Sequence, residues 1–343
     1  MLDVPSSSFL DGPSGPLVLW RRYRFPLPWD AQFPVSGLLH LEVGFGDGRY
    51  TVRRAADAPN ERFVGLEISS ASLQRGLANV RRRGLENVKL LKVGANFALQ
   101  QLFAPCSLIS ITVNFPDPWP KERHEKNRLL QDAFFRLAAS RLTPGGGVLL
   151  ATDHPEYLDF ALVESQKSGL FVLETAEPPE AVFETKYALK WKTMGKPLHY
   201  QVFRYNGNPT PDYPSLERDE TMPHALLSGQ LPPHVAFSKR VLPYAGGHVI
   251  LHEVLRSLGS DDAEGQGEKW LLRATVEEAE LRQQLLVSVR ARGDRGEGDR
   301  GVIVGLEPFG DPVITQAARG AVHAVVEWLL TLPANLKVEA RSY

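Results

Sequence analysis

The chain has 343 residues, of which 43% are apolar and 23% charged, and its formal net charge is −1. Such a composition can build one large globular domain or two ordinary ones. No uninterrupted run of about 18 apolar residues occurs, so we expect no transmembrane helix. Cys106 is the only cysteine, which excludes an internal disulfide and predicts a cytoplasmic location.

Strand-like and helix-like segments alternate from residue 38 to about residue 205. This alternation predicts an α/β fold, in which a parallel sheet carries helices on both faces. Ligands of such sheets bind at the carboxyl ends of the strands, so functional residues are expected there. The main predicted strands are 37–43, 62–68, 88–93, 108–113, 146–152 and 199–205.

Composition divides the chain further. Residues 1–37 form a predicted N-terminal basic arm, 38–205 the α/β domain, 206–224 a linker rich in Pro, Asp and Asn, and 225–343 a small α+β domain of unknown role. The residues up to Tyr205 include 25 basic and 21 acidic ones, a net charge of +4. The residues after Tyr205 include 14 basic and 19 acidic ones, a net charge of −5. A mildly basic first part is compatible with a polyanionic partner.

The segment "LEVGFGDGRY" places three alternating glycines between a strand and a helix. Glycine lets the backbone take positive φ and approach a ligand closely. A dinucleotide fingerprint would need its third glycine at position 49, which is Arg49. An acid two residues before the loop instead favours a nucleoside with an amino-acid tail, such as S-adenosylmethionine; a plain tight turn is the alternative. Glu42, Gly44 and Gly46 are therefore predicted cofactor contacts.

Two residues at the ends of the next strands complete the predicted cofactor site. Glu67 closes the second strand and can accept hydrogen bonds from both ribose hydroxyls. It could instead stabilise the N-terminus of the following helix. Asn96 follows the third strand and either contacts the adenine edge or is only a turn residue.

The stretch "NFPDPWPKERHEKNR", residues 114–128, joins a stiff turn to a basic helix start. Because proline fixes φ, the flanking prolines hold Asp117 in one orientation. Arg123, Lys126 and Arg128 would share one side of the predicted helix. Cations at a helix start oppose its dipole, so a phosphate partner explains them better than helix stability does. A merely solvated face is the alternative.

Two other basic clusters are present. "RRYR", residues 21–24, precedes the core and includes an aromatic residue, so it is a candidate RNA contact. "RRR", residues 81–83, lies at a predicted helix C-terminus, where the dipole already favours cations. For this second cluster we prefer the dipole explanation.

Five segments resemble, in order and spacing, the bacterial tRNA (guanine-N7-)-methyltransferases: "LEVGFGDG", "VGLEIS", "NFPDPWPKERHEKNRL", "ATDHPEY" and "ETKYALKWKTMGKP". They cover about residues 38–205, and the run "FPDPWPK-x-RH-x-K-x-R" is highly specific. The resemblance implies the Rossmann-like fold of class I methyltransferases, S-adenosyl-L-methionine as cofactor and tRNA as partner. It also implies methyl transfer to N7 of a guanosine in the variable loop.

The resemblance also implies roles for individual residues. Glu42, Glu67 and Asp117 match acids that contact the cofactor, and Asp117 matches the position regarded as catalytic. We hypothesise that Asp117 accepts a hydrogen bond from guanine and so raises electron density at N7; a cap of the proline-rich turn is the alternative. The positions that match substrate contacts are Lys121, Asp153, Thr185 and the segment 123–128.

The sequence departs from the family pattern in two places. The Asp-Ala pair usual after the third strand is replaced by Gly94-Ala95-Asn96, so either Gly94 or Asn96 takes the adenine-contacting position. The Glu usual after "TKY" is replaced by Ala188, which removes one group expected to recognise the base.

Two other functions remain possible from the sequence. One is a non-catalytic RNA-binding protein with a degenerate methyltransferase fold, and the other is a methyltransferase that acts on a different nucleic-acid base. The intact glycine loop, Glu67 and Asp117 favour catalysis. We expect no metal site and no membrane partner, and the sequence does not indicate an oligomeric state.

Overall fold

The computed structural model describes residues 15–193, 197–216, 218–233, 235–244, 247–257, 269–278, 280–292 and 301–343. The chain divides into two compact units, Met1–Ser215 and Leu216–Tyr343. Their boundary falls inside the predicted linker, 206–224. Within the described ranges, no helix is long and apolar enough to cross a membrane.

A seven-stranded sheet forms the centre of the first unit, with strand order β3-β2-β1-β4-β5-β7-β6. Its strands are β1 Leu39–Val43, β2 Arg62–Glu67, β3 Val88–Lys92, β4 Leu108–Asn114, β5 Leu142–Thr152, β6 Phe171–Glu174 and β7 His199–Tyr205. The Rossmann-like α/β prediction is confirmed. One detail is wrong, because β7 runs antiparallel to both neighbours, β5 and β6. Strand periodicity carries no information about direction, so the sequence pattern could not reveal this.

The helices of the first unit are α1 Arg49–Asp57, α2 Ser70–Arg82, α3 Ala95–Leu102, α4 Asp132–Arg141, α5 Pro155–Ser168, α6 Glu180–Phe183 and α7 Lys186–Thr193. The helix predicted to begin at Lys121 is wrong, because Glu122–Asn127 form a six-residue 3₁₀ helix. The backbone is extended again at Arg128, with φ −64° and ψ 138°. The α-helix therefore begins only at Asp132, and the basic run belongs to a separate short turn.

The N-terminal segment is part of the first unit from Gly15 onward rather than a separate arm. Val18 N–H donates to the Leu90 carbonyl at 3.0 Å, which attaches the segment to β3. The indole N–H of Trp20 donates to the Lys92 carbonyl at 3.0 Å. The indole N–H of Trp29 donates to the Leu102 carbonyl at 2.8 Å, and the Trp29 ring is buried. Tryptophan anchors of this kind contribute large apolar area, and their N–H groups are satisfied.

The described residues of the second unit form an antiparallel sheet with strand order β14-β8-β13-β12-β11-β10-β9. The strands are β8 His224–Ser228, β9 Arg240–Tyr244, β10 Gly247–Arg256, β11 Lys269–Glu278, β12 Leu281–Arg292, β13 Gly301–Leu306 and β14 Lys337–Arg341. One helix, α8 Gln316–Leu330, buries a row of Ala and Val side chains in a shared core with the sheet. Thr315 caps this helix by accepting from the Ala318 N–H at 3.3 Å. The architecture is α+β, as the sequence predicts.

Candidate active site

A cavity of about 580 Å³ lies where the carboxyl ends of β1 to β4 meet, the position expected for a ligand of this sheet. It is lined by backbone and side chains of the glycine loop, the strand ends, the proline-rich turn and the start of α7. Six predicted site residues line it: Glu42, Gly44, Gly46, Glu67, Asp117 and Thr185.

The glycine loop presents bare backbone to this cavity. Gly44 and Gly46 have φ of +73° and +60°, a region that favours glycine. A Cβ at either position would meet no heavy atom within 4 Å, so the space beside them is open. The Phe45 ring between them is buried against Gly65, where an added Cβ would lie 2.7 Å from the ring. The packing of Phe45 thus holds the loop in place, while the backbone of Gly44 and Gly46 is open to the cavity.

Glu67 ties the end of β2 to the glycine loop. One carboxylate oxygen accepts from the Gly46 N–H at 3.0 Å. The other accepts from the N–H groups of Ile68 and Ser69 at 2.8 and 2.9 Å. A carboxylate has about four acceptor sites, so these bonds leave capacity for a further donor from the cavity.

Glu42 lies deeper, beneath the glycine loop. Its carboxyl group accepts from the hydroxyl of Thr51 and, at 3.0 Å, from the side-chain amide of Asn114. The side chain is buried, and this burial raises the pKa of Glu42 to about 7 from its ordinary 4.5. Glu42 therefore joins β1, α1 and β4 from within the unit while it also lines the cavity floor.

The raised pKa of Glu42 predicts a specific pH dependence of stability. Because the folded pKa lies above the unfolded one, the contribution of Glu42 to the free energy of unfolding is fully present below about pH 4.5 and is lost as the pH rises through about 7. The fall attributable to this group is at most about 1.4 kcal/mol per pH unit. Glu42→Gln should remove this fall, measured by denaturant unfolding across the pH window. The exposed Glu177→Gln serves as control, and parallel curves for Glu42→Gln and wild type would contradict the prediction.

Asn114, the last residue of β4, is a site residue that the sequence analysis did not single out. Its Nδ2 donates to Glu42, while its Oδ1 is buried without a hydrogen-bond partner among the described residues. A buried acceptor left unpaired costs free energy, and Asn114 is one of the residues that line the cavity, so its amide is a candidate partner for a ligand donor. The sequence signal that could have identified Asn114 as a site residue was its position directly between a buried strand and the proline-rich turn.

The proline-rich turn holds Asp117 at the cavity. Two non-glycine residues of the turn, Phe115 and Trp119, have φ of +51° and +42°. Such conformations cost free energy and persist only where the surroundings impose them, often at functional sites. The Asp117 carboxylate is exposed, and no described residue donates a hydrogen bond to it. It is therefore available to a ligand.

Arg128 holds the proline-rich turn in place through its backbone carbonyls. The prediction that it shares an exposed cationic side with Arg123 and Lys126 is therefore wrong. Its guanidinium donates to the carbonyls of Pro118 and Trp119 at 3.0 and 3.3 Å. It also pairs with Glu125 at 3.0 Å and lies 4.7 Å from the ring centroid of Phe160. The residue is only 6% exposed.

The other three predicted substrate-contacting cations lie elsewhere than Arg128. Lys121, Arg123 and Lys126 are exposed on the turn that follows the cavity wall, and none of them lines the cavity. They remain available to a ligand that is larger than the cavity.

Three other predicted residues are placed as follows. The Thr185 hydroxyl donates to the Val182 carbonyl at 2.8 Å and accepts from the Ala188 N–H at 3.2 Å, so it caps the start of α7. Asp153 and Asn96 do not line the cavity. The wall after β3 is instead formed by Gly94 and Ala95, which favours the first of the two alternatives for the adenine contact.

Aromatic side chains form one wall of the cavity. Trp119 and Tyr187 are 37% and 50% exposed, and both line it. The rings of Phe115 and Tyr187 have centroids 6.2 Å apart, and Trp119 contacts His124 edge to face at 5.7 Å. Partly exposed aromatic faces of this kind can stack on a planar base.

Comparison with known proteins identifies the family of this chain. A family model described as "Putative methyltransferase" matches residues 36–201. A protein of Thermus thermophilus named tRNA (guanine-N(7)-)-methyltransferase is 42% identical over 310 residues, 90% of this chain and 94% of that protein. A protein of Deinococcus radiodurans with the same name is 38% identical over 297 residues, 84% of this chain and 88% of its own.

These two similarities extend beyond the first unit. The first unit has 215 residues, so at least 95 of the 310 matched residues (310 − 215) lie in the second. A Thermotoga maritima protein of the same name is 35% identical over 209 residues, which cover 61% of this chain and 66% of that protein. The second unit, in which the sequence analysis recognised no resemblance, is thus shared with some relatives. The chain belongs to the tRNA (guanine-N(7)-)-methyltransferase family.

Proposed function

We propose that this protein transfers the methyl group of S-adenosyl-L-methionine to N7 of a guanosine in the variable loop of tRNA, in the cytoplasm. The observation that carries the proposal is the cavity of this family member. It is lined by the glycine loop, Glu67 and Asp117, an exposed carboxylate to which no residue in the described ranges donates a hydrogen bond. The cations that follow Asp117 give the site a second, polyanion-binding part.

The residues of the cavity fit S-adenosylmethionine. Glu67 retains acceptor capacity for ribose hydroxyls, and the open backbone at Gly44 and Gly46 leaves room for the methionine part. The unpaired Oδ1 of Asn114 suits the ammonium group, and Gly94 and Ala95 suit the adenine. The cofactor supplies an electrophilic methyl group on a positively charged sulfur.

Guanine N7 carries a lone pair and no proton, so its methylation needs no general base. What the protein must do is hold N7 in line with the methyl group and exclude water. The wall of Trp119 and Tyr187 can orient the base plane, and the strained turn fixes Asp117 beside it.

Asp117 has an electrostatic role in this proposal. Positive charge passes to the guanine ring during transfer, so a fixed carboxylate stabilises the transition state more than the neutral base. Asp117 accepts a hydrogen bond from the guanine N1–H or amino group. Because Ala188 replaces the family's usual Glu, Asp117 carries a larger share of base recognition in this chain.

Incubation with S-adenosylmethionine and unmodified tRNA should give N7-methylguanosine, detected by mass spectrometry of the digested RNA. A tRNA that carries 7-deazaguanosine at the target position should accept no methyl group, because it lacks the nucleophilic nitrogen. Methylation at another atom would favour a different base specificity. Tight RNA binding without S-adenosylmethionine binding or transfer would favour the non-catalytic alternative.

A further inference from the structure

A second concave surface of the first unit lies next to the cavity and is rich in arginine. We call it the arginine groove; it encloses about 660 Å³ between α1, α2 and the segment that joins α6 to α7. Its charged lining residues are Arg49, Arg75, Arg82, Arg83, Asp47 and Glu184. Three of them, Asp47, Arg49 and Arg75, also line the cavity, so the two surfaces are continuous.

The two acids of the groove are each paired with an arginine, one inside the groove and one outside it. Asp47 pairs with Arg49 at 3.1 Å, and Glu184 pairs with Arg53 at 2.8 Å. Arg75, Arg82 and Arg83 form no ion pair with any described residue. The free positive charge of the groove therefore comes from α2.

Helical spacing places these charges in a row. Positions 75, 79 and 82 share one face of α2, and Arg83 follows them as the C-cap residue. Arg75 and Arg82 are about 10 Å apart along the helix axis. Arg75 donates to the hydroxyl of Ser72 at 3.0 Å, and Arg82 donates to the Asn79 side chain at 2.5 Å. These neutral partners orient the guanidinium groups without neutralising them.

The explanation given from sequence for residues 81–83, a favourable interaction with the helix dipole, still applies to Arg81 and Arg82 in the last turn of α2. It does not determine where each side chain lies. The Arg82 guanidinium is bonded to a side chain one turn earlier rather than to the terminal carbonyls of α2. Arg81 is exposed and does not line the groove, while Arg82 and Arg83 do. All three residues are exposed, and the cluster is divided by position, with two of the three lining the groove.

We propose that the arginine groove binds the phosphodiester backbone of the RNA strand next to the guanosine that enters the cavity. Planar guanidinium groups bind phosphate oxygens in a bidentate manner, and a row of them suits successive phosphates. The half-exposed Leu189 on the groove wall offers an apolar contact for a ribose or base. The inference rests on the proposed function for the identity of the polyanion.

The test compares two double variants that lose the same charge. Arg82→Gln with Arg83→Gln removes two groove arginines, whereas Arg81→Gln with Arg282→Gln removes two exposed arginines outside it. The groove variant should bind tRNA roughly tenfold more weakly than the control. Its slope of log affinity against log salt should fall by about 1 to 2, as for the loss of one or two phosphate contacts.

Equal affinities and equal salt slopes for the two double variants would overturn the proposal. S-adenosylmethionine affinity, measured by calorimetry, reports whether the groove variant is folded. A groove variant that loses binding of inorganic pyrophosphate but keeps wild-type tRNA affinity would assign the groove to small anions and also overturn the proposal. If wild type binds tRNA through the groove but produces no N7-methylguanosine, the proposed function fails and the groove stands.

Discussion

Asp117→Asn should lower kcat for methyl transfer by about 10² to 10³-fold, the usual cost of losing one preorganised electrostatic contact to a transition state. The substitution keeps the size of the side chain and one acceptor oxygen, while it removes the negative charge and replaces the second oxygen with a donor. The proline-rich turn should keep its conformation, because its fixation depends on Arg128 and not on the Asp117 carboxylate. Single-turnover kinetics at saturating tRNA and S-adenosylmethionine measure the chemical step directly.

The matched control for this prediction is Asp159→Asn, which removes an exposed carboxylate on α5 away from the cavity. Its kcat should remain within a factor of about two of wild type, as is usual for surface substitutions. Calorimetry with S-adenosylmethionine separates a binding defect from a chemical one. Wild-type turnover of Asp117→Asn with intact cofactor binding would refute the electrostatic role and leave Asp117 as a turn residue.

The order of elements and the cavity floor were predictable from sequence because both depend on local patterns. The strand–helix alternation and the alternating glycines specify β1, the loop and α1 within a few residues. Glu67 was predictable for the same reason, since the end of a parallel strand faces the ligand edge. These signals need no knowledge of what packs across the sheet.

Features that depend on distant contacts were not predictable. The depth of Glu42, and hence its raised pKa, follows from its contacts with Thr51 and Asn114, which lie on two other elements. By sequence Asn114 is an ordinary strand end, and only the fold shows that its Oδ1 is buried with no hydrogen-bond partner among the residues described. A side chain's environment, and not its type, decides such roles.

Arg128 illustrates the same limit most clearly. By type and by place in the basic run it belongs with Arg123 and Lys126, although residues two positions apart, such as Lys126 and Arg128, would face different sides even of an α-helix. The chain instead forms a short 3₁₀ turn, which directs Arg128 back toward the carbonyls of the proline-rich turn. The contacts of Arg128 with the carbonyls of Pro118 and Trp119 depend on the folded shape of the turn, and the sequence pattern did not indicate that shape.

Arg128→Lys should therefore destabilise the turn rather than weaken a phosphate contact. Lysine keeps the charge but cannot donate to two carbonyls and one carboxylate in the fork geometry of arginine. Loss of the buried charged hydrogen bonds should lower the local free energy of opening by about 2 to 3 kcal/mol. Hydrogen exchange of peptides that cover residues 114–130 measures this change. Methyl transfer should fall at least about tenfold, because Asp117 is no longer held in place.

Lys126→Gln is the matched comparison, because Lys126 is exposed on the same turn. It should leave hydrogen exchange unchanged but reduce the salt slope of tRNA binding by about 1, as expected for one lost phosphate contact. Arg128→Lys should show the opposite pattern, with faster exchange and an unchanged slope. If both variants alter the slope and neither alters exchange, Arg128 contacts the RNA after all. Opposite patterns would establish that these two neighbouring cations have different roles. Arg128 would position the catalytic carboxylate, and Lys126 would attract the polyanion.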